Sequence, residues 1–315
     1  MKKNKKILVL GRAGLDLYAH PINTPIENAS QFTSQLGGSA ANIAAGLAIQ
    51  GNNVDLMSPI SNDSIGDFVI NSCKKIGINT LLLEKVSNLK NTLAIVDTMG
   101  DKTNAVLYRE KPADLFIDET FLKKVNLDSY LMIIVTGTSL SRNPSRNNVL
   151  KLMELAIKRK IEIVLDIDYR EGSWNDKKKA EKTLYSASLL SNIVVGNDLE
   201  FNFMSSDKNR GLSLASKLSK KNRITTIYKM GSKGLYYFDK NNKHFFKSFK
   251  VKSIKPTGAG DAFISSFCSS KLRGVELSKS IKFGAAAGAI VVTRVGCSKA
   301  MPTLLEIKEF IKKYN

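Results

Sequence analysis

Leu131-Met-Ile-Ile-Val-Thr136 and Ile161-Glu-Ile-Val-Leu-Asp166 are short apolar runs separated by the amphipathic stretch Asn147–Arg159. Each run has strand length and is apolar enough to be covered on both faces. Strand, helix and strand in succession form a βαβ unit, which pairs its strands in parallel. The alternation extends in both directions. Ile7–Leu10, Val54–Pro59, Ile193–Val195 and Ile224–Tyr228 read as further buried strands. Ala40–Gln50, Ile65–Cys73 and Gly211–Leu218 read as helices between them. The expected fold class is α/β, a doubly wound, mostly parallel sheet flanked by helices, which binds ligands at the carboxyl ends of its strands.

Two segments break the rhythm. Asp16–Leu36 and Thr92–Tyr108 read as short β-segments joined by polar turns, with no helix between them. They are expected to pair as a small β-sheet lid, about 16–36 and 92–110, inserted in a single domain spanning 1–315. Helical patterns follow at Ala262–Leu272, Leu277–Val292 and Thr303–Lys313. There is no internal repeat and no low-complexity linker.

The 315 residues, 43% of them hydrophobic, are enough for one large α/β domain with an insertion, or for two domains. No apolar run approaches the roughly 20 residues of a membrane span. Ile7–Leu10 is too short for a signal-peptide core behind the basic start Met1–Lys6. Cys73, Cys268 and Cys297 are odd in number and lack metal-ligand spacing, so reduced thiols in a cytoplasmic protein are expected. The net charge of +20 raises the question of nucleic acid. Its basic residues are scattered, and the runs Lys177–Lys179 and Lys220-Lys221 have no interleaved aromatics for base stacking. Neither nucleic acid nor membrane is the expected partner. Such charge still favours approach of an anionic substrate.

The segment richest in chemistry is Thr257-Gly258-Ala259-Gly260-Asp261-Ala262-Phe263. Its small residues let backbone N–H groups converge on an anion at a helix start. A carboxylate beside a phosphate cradle repels the phosphate, but it suits a base that deprotonates an attacking hydroxyl. The plainer reading is a Gly-rich loop with Asp261 as helix cap. Gly37-Gly38-Ser39-Ala40-Ala41-Asn42 brings backbone close to a bound polar molecule, and Asn42 offers donor and acceptors to hydroxyls; alternatively Ser39 simply caps a helix. Asp16, after the first strand, can bind hydroxyls or serve as a turn residue.

Asn197-Asp198-Leu199-Glu200 either holds Mg²⁺ through water or forms a capping box, whose spacing it shares. Lys229-Met230-Gly231-Ser232-Lys233-Gly234 suits close approach by a nucleotide, or a hairpin turn. Arg109 and Arg170 each follow an expected strand and can grip a carboxylate through two hydrogen bonds, or make surface ion pairs. Neither Gly-x-x-x-x-Gly-Lys-Ser/Thr nor Gly-x-Gly-x-x-Gly occurs, which argues against a Walker-type NTPase and an NAD enzyme. His20 and His244 have no triad or zinc arrangement around them.

In this order, Gly37-Gly38 with Asn42, Asn197-x-x-Glu200 and Gly258-Ala259-Gly260-Asp261 resemble the ribokinase-like (PfkB) family of carbohydrate kinases along nearly the whole chain. The resemblance implies a ribokinase-like fold, ATP and Mg²⁺. It implies Asp261 as catalytic base and the amides of Gly258, Ala259 and Gly260 as anion hole. Asp16, Gly37, Gly38 and Asn42 then hold the sugar, with Arg109 and Arg170 on an acid. Asn197 and Glu200 then serve the metal and phosphates, Glu200 holding the metal through water, while Lys229, Gly231, Gly234 and Thr257 are the further nucleotide-binding candidates.

Many relatives carry an acidic residue and threonine before the anion hole. Lys255-Pro256-Thr257 departs from that and bears on the monovalent-cation activation some relatives show. With Gly11–Tyr18, Leu107–Glu110, Thr136–Thr138, Asp166–Arg170 and Trp174, this run is similar to the group that phosphorylates 5-dehydro-2-deoxy-D-gluconate at O6 in myo-inositol degradation. The alternatives are a 2-dehydro-3-deoxygluconate kinase, a fructokinase or ribokinase, and, in another class, a non-catalytic sugar-binding regulator. A homodimer joined through the lids is a further expectation of the resemblance.

Overall fold

The computed structural model describes residues 6–99, 102–207, 209–222, 224–240, 242–255 and 257–314. Pro256 and the first five residues lie outside them. In chain order the elements are β1 (Lys6–Leu10), β2 (Gly14–His20), β3 (Gln31–Gly37), α1 (Ser39–Ile49), β4 (Val54–Ser61), α2 (Ser64–Ile76), β5 (Leu83–Val86), β6 (Leu93–Met99), β7 (Lys102–Tyr108), α3 (Glu119–Lys123), β8 (Tyr130–Thr136), α4 (Ser145–Lys158) and β9 (Glu162–Asp166). There follow α5 (Lys177–Leu189), β10 (Ile193–Asn197), α6 (Asp198–Met204), α7 (Gly211–Asn222), β11 (Thr225–Lys229), β12 (Leu235–Asp239), β13 (Asn242–Phe246), α8 (Ala259–Leu272), α9 (Leu277–Val291) and α10 (Leu304–Lys313). They form two compact units, one of Met1–Leu10 with Leu115–Ser248, the other of Gly11–Asp114 with Phe249–Asn315.

In the first unit the strand order is β13-β12-β11-β10-β9-β8-β1. β1, β8, β9, β10 and β11 pair in parallel, as their apolar runs require; β12 and β13 add an antiparallel edge. Ile133, Val164, Val194 and Ile227 on the parallel strands are fully buried. Register sets Thr136 and Val195 beside Asp166, and Asn197 beside Lys229, at the carboxyl ends of those strands.

Helix α5 is absent from the sequence expectation. Its first turn is Lys177-Lys178-Lys179, the charge that opposes the positive end of a helix dipole. Asp176 offsets this by accepting from the Lys179 amide, while Ala180, Leu184 and Ala187 supply a buried face at helical spacing.

In the second unit the two irregular segments do pair, as a four-stranded sheet in the order β3-β2-β6-β7. β2 is antiparallel to β3 and parallel to β6, and β6 is antiparallel to β7. β4 and β5 form a parallel pair. Helices α8, α9 and α10 enclose a core of Ala262, Ala286, Ala287, Ile290, Val291, Met301 and Ile307. Small residues set the close approach of α1 to α8: a Cβ on Gly46 would lie 2.3 Å from Ser265 Oγ. Among the described residues no helix is long and apolar enough to cross a membrane.

Candidate active site

Helix α8 starts earlier than its apolar pattern suggests, at Ala259. Gly258 is its N-cap, with φ of 84°, so Asp261 falls in the first turn and is not the cap. The left-handed backbone favours glycine there, and a Cβ would also press on Cys297 Sγ at 3.1 Å and Val291 Cγ1 at 3.2 Å. The first hydrogen bond inside the helix is Ala262 N to the Gly258 carbonyl, leaving the amides of Ala259 and Gly260 ahead of the ladder. Asp261 Oδ2 accepts a hydrogen bond from Asn42 Nδ2 at 2.9 Å.

Asn42 reaches this point from the first turn of α1. Gly38, with φ of 103°, is the N-cap of that helix, and Ser39 is its first residue rather than its cap. A Cβ on Gly38 would lie 2.3 Å from the Arg12 carbonyl, and one on Gly37 only 2.0 Å from Asp16 Oδ1. Both glycines therefore make room for the segment that follows β1. Asp16 is 7% exposed, and burial pushes its carboxyl up from the ordinary range against the opposing pull of Arg12 and Lys255. Asp16 Oδ1, Asn42 Oδ1, Gln35 Oε1 and Arg12 Nη1 are buried without hydrogen-bond partners. Buried polar atoms of this kind call for a polar partner, whether water, ion or ligand.

Lys255 is fully buried. Its ammonium donates to the Thr257 carbonyl at 2.5 Å, to Thr257 Oγ1 at 3.2 Å and to Cys297 Sγ at 3.7 Å. Tyr18 Oη lies 3.4 Å from the same sulfur. Burial pushes the Cys297 thiol up, with Lys255 opposing. Neither Lys255 nor Gln35 and Arg12 stands out in the sequence as a site residue; a buried lysine has no spacing signature. Arg109, at the end of β7, donates through Nη2 to Asp114 Oδ2 at 2.7 Å and through Nη1 to Thr92 Oγ1 at 3.3 Å. Asp114 is itself 1% exposed, so this is an internal ion pair rather than a surface one.

The first unit holds the other candidates. Asn197 caps α6: its Oδ1 accepts from the Glu200 amide at 2.9 Å, and Glu200 Oε2 accepts from the Asn197 amide at 2.7 Å. The capping box is thus present, and it engages Glu200 through Oε2. Burial pushes the Glu200 carboxyl up; Lys229 is the largest opposing influence. Lys229 ends β11, and Met230 N donates to the Gly234 carbonyl at 2.8 Å, closing the β11–β12 hairpin. Gly231 and Gly234, with φ of 57° and 105°, are accounted for by that turn. Asp168, with φ of 34°, accepts from Thr138 Oγ1 at 3.2 Å and from Arg170 Nε at 2.9 Å; Arg170 is otherwise largely exposed. Among the described residues no three His, Cys, Asp or Glu side chains gather as a metal cage.

A family model described as pfkB family carbohydrate kinase matches residues 4–304. The chain is 34% identical over 320 residues to a 5-dehydro-2-deoxygluconokinase of Clostridium tetani, covering 99% of this chain and 94% of the relative. A 5-dehydro-2-deoxygluconokinase of Photobacterium profundum is 33% identical over 311 residues, covering 97% and 94%. By fold, the chain is similar to a fructokinase of Xylella fastidiosa with bound ATP, at a TM-score of 0.85 and 22% identity over 98% of this chain and 99% of the other. It is similar also to an E. coli protein assigned as a ribokinase II in complex with ATP and Mg²⁺, at a TM-score of 0.88 and 20% identity over 98% and 99%.

Proposed function

This chain belongs to the pfkB family of carbohydrate kinases, and from that premise we propose that it transfers the γ-phosphoryl group of ATP to the terminal hydroxyl of a keto-deoxy sugar acid. The names of its relatives favour 5-dehydro-2-deoxy-D-gluconate, giving the 6-phosphate in inositol breakdown. One observation carries the reading: Asp261 sits in the first turn of α8 behind a left-handed glycine, its carboxylate held by Asn42.

The mechanism follows from that placement. The amides of Gly258, Ala259 and Gly260 stabilise charge that spreads over the transferring phosphoryl oxygens. Asp261 takes the proton of the attacking hydroxyl. Asn42 fixes the orientation of that carboxylate and keeps its own Oδ1 for the sugar. Asp16 Oδ1 accepts from a sugar hydroxyl, with Gly37 and Gly38 giving the close approach. Arg109 in one unit and Arg170 in the other are the arginines this reading assigns to the acid group.

Glu200 Oε1 and the Asn197 turn fit Mg²⁺, a hard cation that keeps much of its water and needs no protein-only cage. When bound, the metal neutralises phosphate charge. Lys229, Gly231, Gly234 and Thr257 serve the nucleotide. The four-stranded sheet acts as a lid that excludes water. Phe32 on edge strand β3, and Val106, Leu107 and Tyr108 on edge strand β7, are more than a third exposed, which suits a homodimer joined through that sheet. Reduced cytoplasmic surroundings fit three free cysteines, all buried.

A coupled ATP-consumption assay over a panel of sugars and sugar acids tests the reading. Turnover is expected with 5-dehydro-2-deoxygluconate, and less with 2-dehydro-3-deoxygluconate and fructose. Consumption with neutral sugars alone would reject the acid substrate; none at all would reject a kinase.

A further inference from the structure

We propose that Arg12 is the specificity-determining contact for this chain, the side chain that grips the carboxylate of the sugar acid. The inference rests on the reading of the substrate as an acid.

The backbone of Arg12 is clamped. Its carbonyl accepts from the Ala41 amide at 3.3 Å at the start of α1, and the absence of a Cβ on Gly38 is what lets that carbonyl lie so close. The guanidinium therefore springs from a fixed point. Its Nη1 is buried and has no hydrogen-bond partner. Three buried acceptors in the same unit are equally unsatisfied: Asp16 Oδ1, Gln35 Oε1 and Asn42 Oδ1. They are neighbours. Asp16 and Gln35 face each other across β2 and β3, Asp16 feels the charge of Arg12, and Asn42 is bonded to Asp261.

One unpaired cationic donor beside three unpaired acceptors is the complement of a polyhydroxy acid. The hydroxyls of such a ligand satisfy the acceptors and its carboxylate satisfies the guanidinium. A neutral sugar offers the guanidinium only another hydroxyl, without the charge-assisted pair. Arg109, by contrast, has Nη2 on Asp114 at 2.7 Å and is held before any ligand arrives.

The test measures dissociation constants by calorimetry for 5-dehydro-2-deoxygluconate and its neutral amide, on wild type, Arg12→Ala, Arg12→Lys and Arg170→Ala. Wild type is expected to prefer the acid. Arg12→Ala should weaken acid binding about 100-fold and amide binding less than about threefold, the asymmetry of a lost charged pair. Millimolar guanidinium should restore part of the acid affinity. Arg12→Lys keeps charge without the fork and should lose about tenfold on the acid; it serves as the reading if Arg12→Ala does not fold by thermal melt.

Equal losses on acid and amide would overturn the proposal. So would a selective loss in Arg170→Ala with Arg12 variants unaffected. A wild type that binds no sugar acid would instead refute the substrate reading beneath it, a failure visible before any variant is made.

Discussion

Asn42 donates to Asp261 across 2.9 Å, joining the first turns of two helices whose residues stand 219 positions apart. The bond turns a carboxylate on a helix start into one of fixed aim. Replacing Asp261 with Asn keeps the size of the side chain and removes the base. Turnover should fall about 100-fold or more, as for a lost general base, while ATP binding followed by calorimetry stays near the wild-type value. Near-normal turnover would take Asp261 out of the reaction.

Asp16→Asn should separate stability from function. Burial raises the folded-state pKa of Asp16, so the folded protein holds that proton to higher pH than the unfolded chain does. The contribution of Asp16 to stability is present below the ordinary carboxylate pKa of about 3.8 and is lost as pH rises through the folded value. The Asn variant should therefore gain on wild type between pH 4 and 7, by roughly 2 °C or more in Tm at pH 7, while its KM for the sugar rises. A Tm gain independent of pH would contradict the argument.

Gly37→Ala places a methyl group 2.0 Å from Asp16 Oδ1. The carboxylate must move, and sugar affinity should drop about tenfold, the effect of one good hydrogen bond to a charged group. Steady-state kinetics with ATP saturating would show it as a rise in KM. An unchanged KM would mean that the carboxylate is not a sugar ligand.

Lys255→Met removes a fully buried ammonium and keeps much of its volume. Apolar replacement of a buried charge is often neutral or stabilising, so the melting temperature should hold or rise. The carbonyl and hydroxyl of Thr257 lose their donor, however, and the turn before Gly258 loosens. A fall in kcat of roughly tenfold, from a charged hydrogen bond of about 1.5 kcal/mol, is expected. Loss of stability with kcat intact would reverse this account.

Glu200→Gln preserves an acceptor for the Asn197 amide, so α6 should stay capped. The carboxylate charge is gone, and the Mg²⁺ concentration for half-maximal rate should rise about tenfold. A titration of activity against Mg²⁺ reads it directly; no shift would leave Glu200 with only its capping role.

The parallel strands were legible because both their faces are covered, which leaves unmistakable apolar runs such as Leu131–Thr136. The four-stranded sheet was legible by contrast, as segments lacking helical spacing. Helix α5 was not, since a lysine-rich first turn contradicts the usual charge rule and only Asp176 signals the start. The glycine turn before Asp261 could be read because only small residues let backbone amides converge. Arg12, Gln35 and Lys255 could not be read, because what singles them out is burial without a partner or burial of a charge, and both are properties of packing. The turn at Lys229–Gly234 shows the reverse: glycines that suit a nucleotide are equally the glycines of a hairpin.

The unit bearing Asp261 is made from both ends of the polypeptide, Gly11–Asp114 and Phe249–Asn315. During synthesis the early half, with Asp16 and Asn42 already made, must wait for α8 to emerge before its helices gain their packing partner. On the proposed mechanism, productive chemistry is therefore a late event in the life of each newly made molecule, because a chain cut short before residue 249 lacks Asp261 and the helix that α1 packs against.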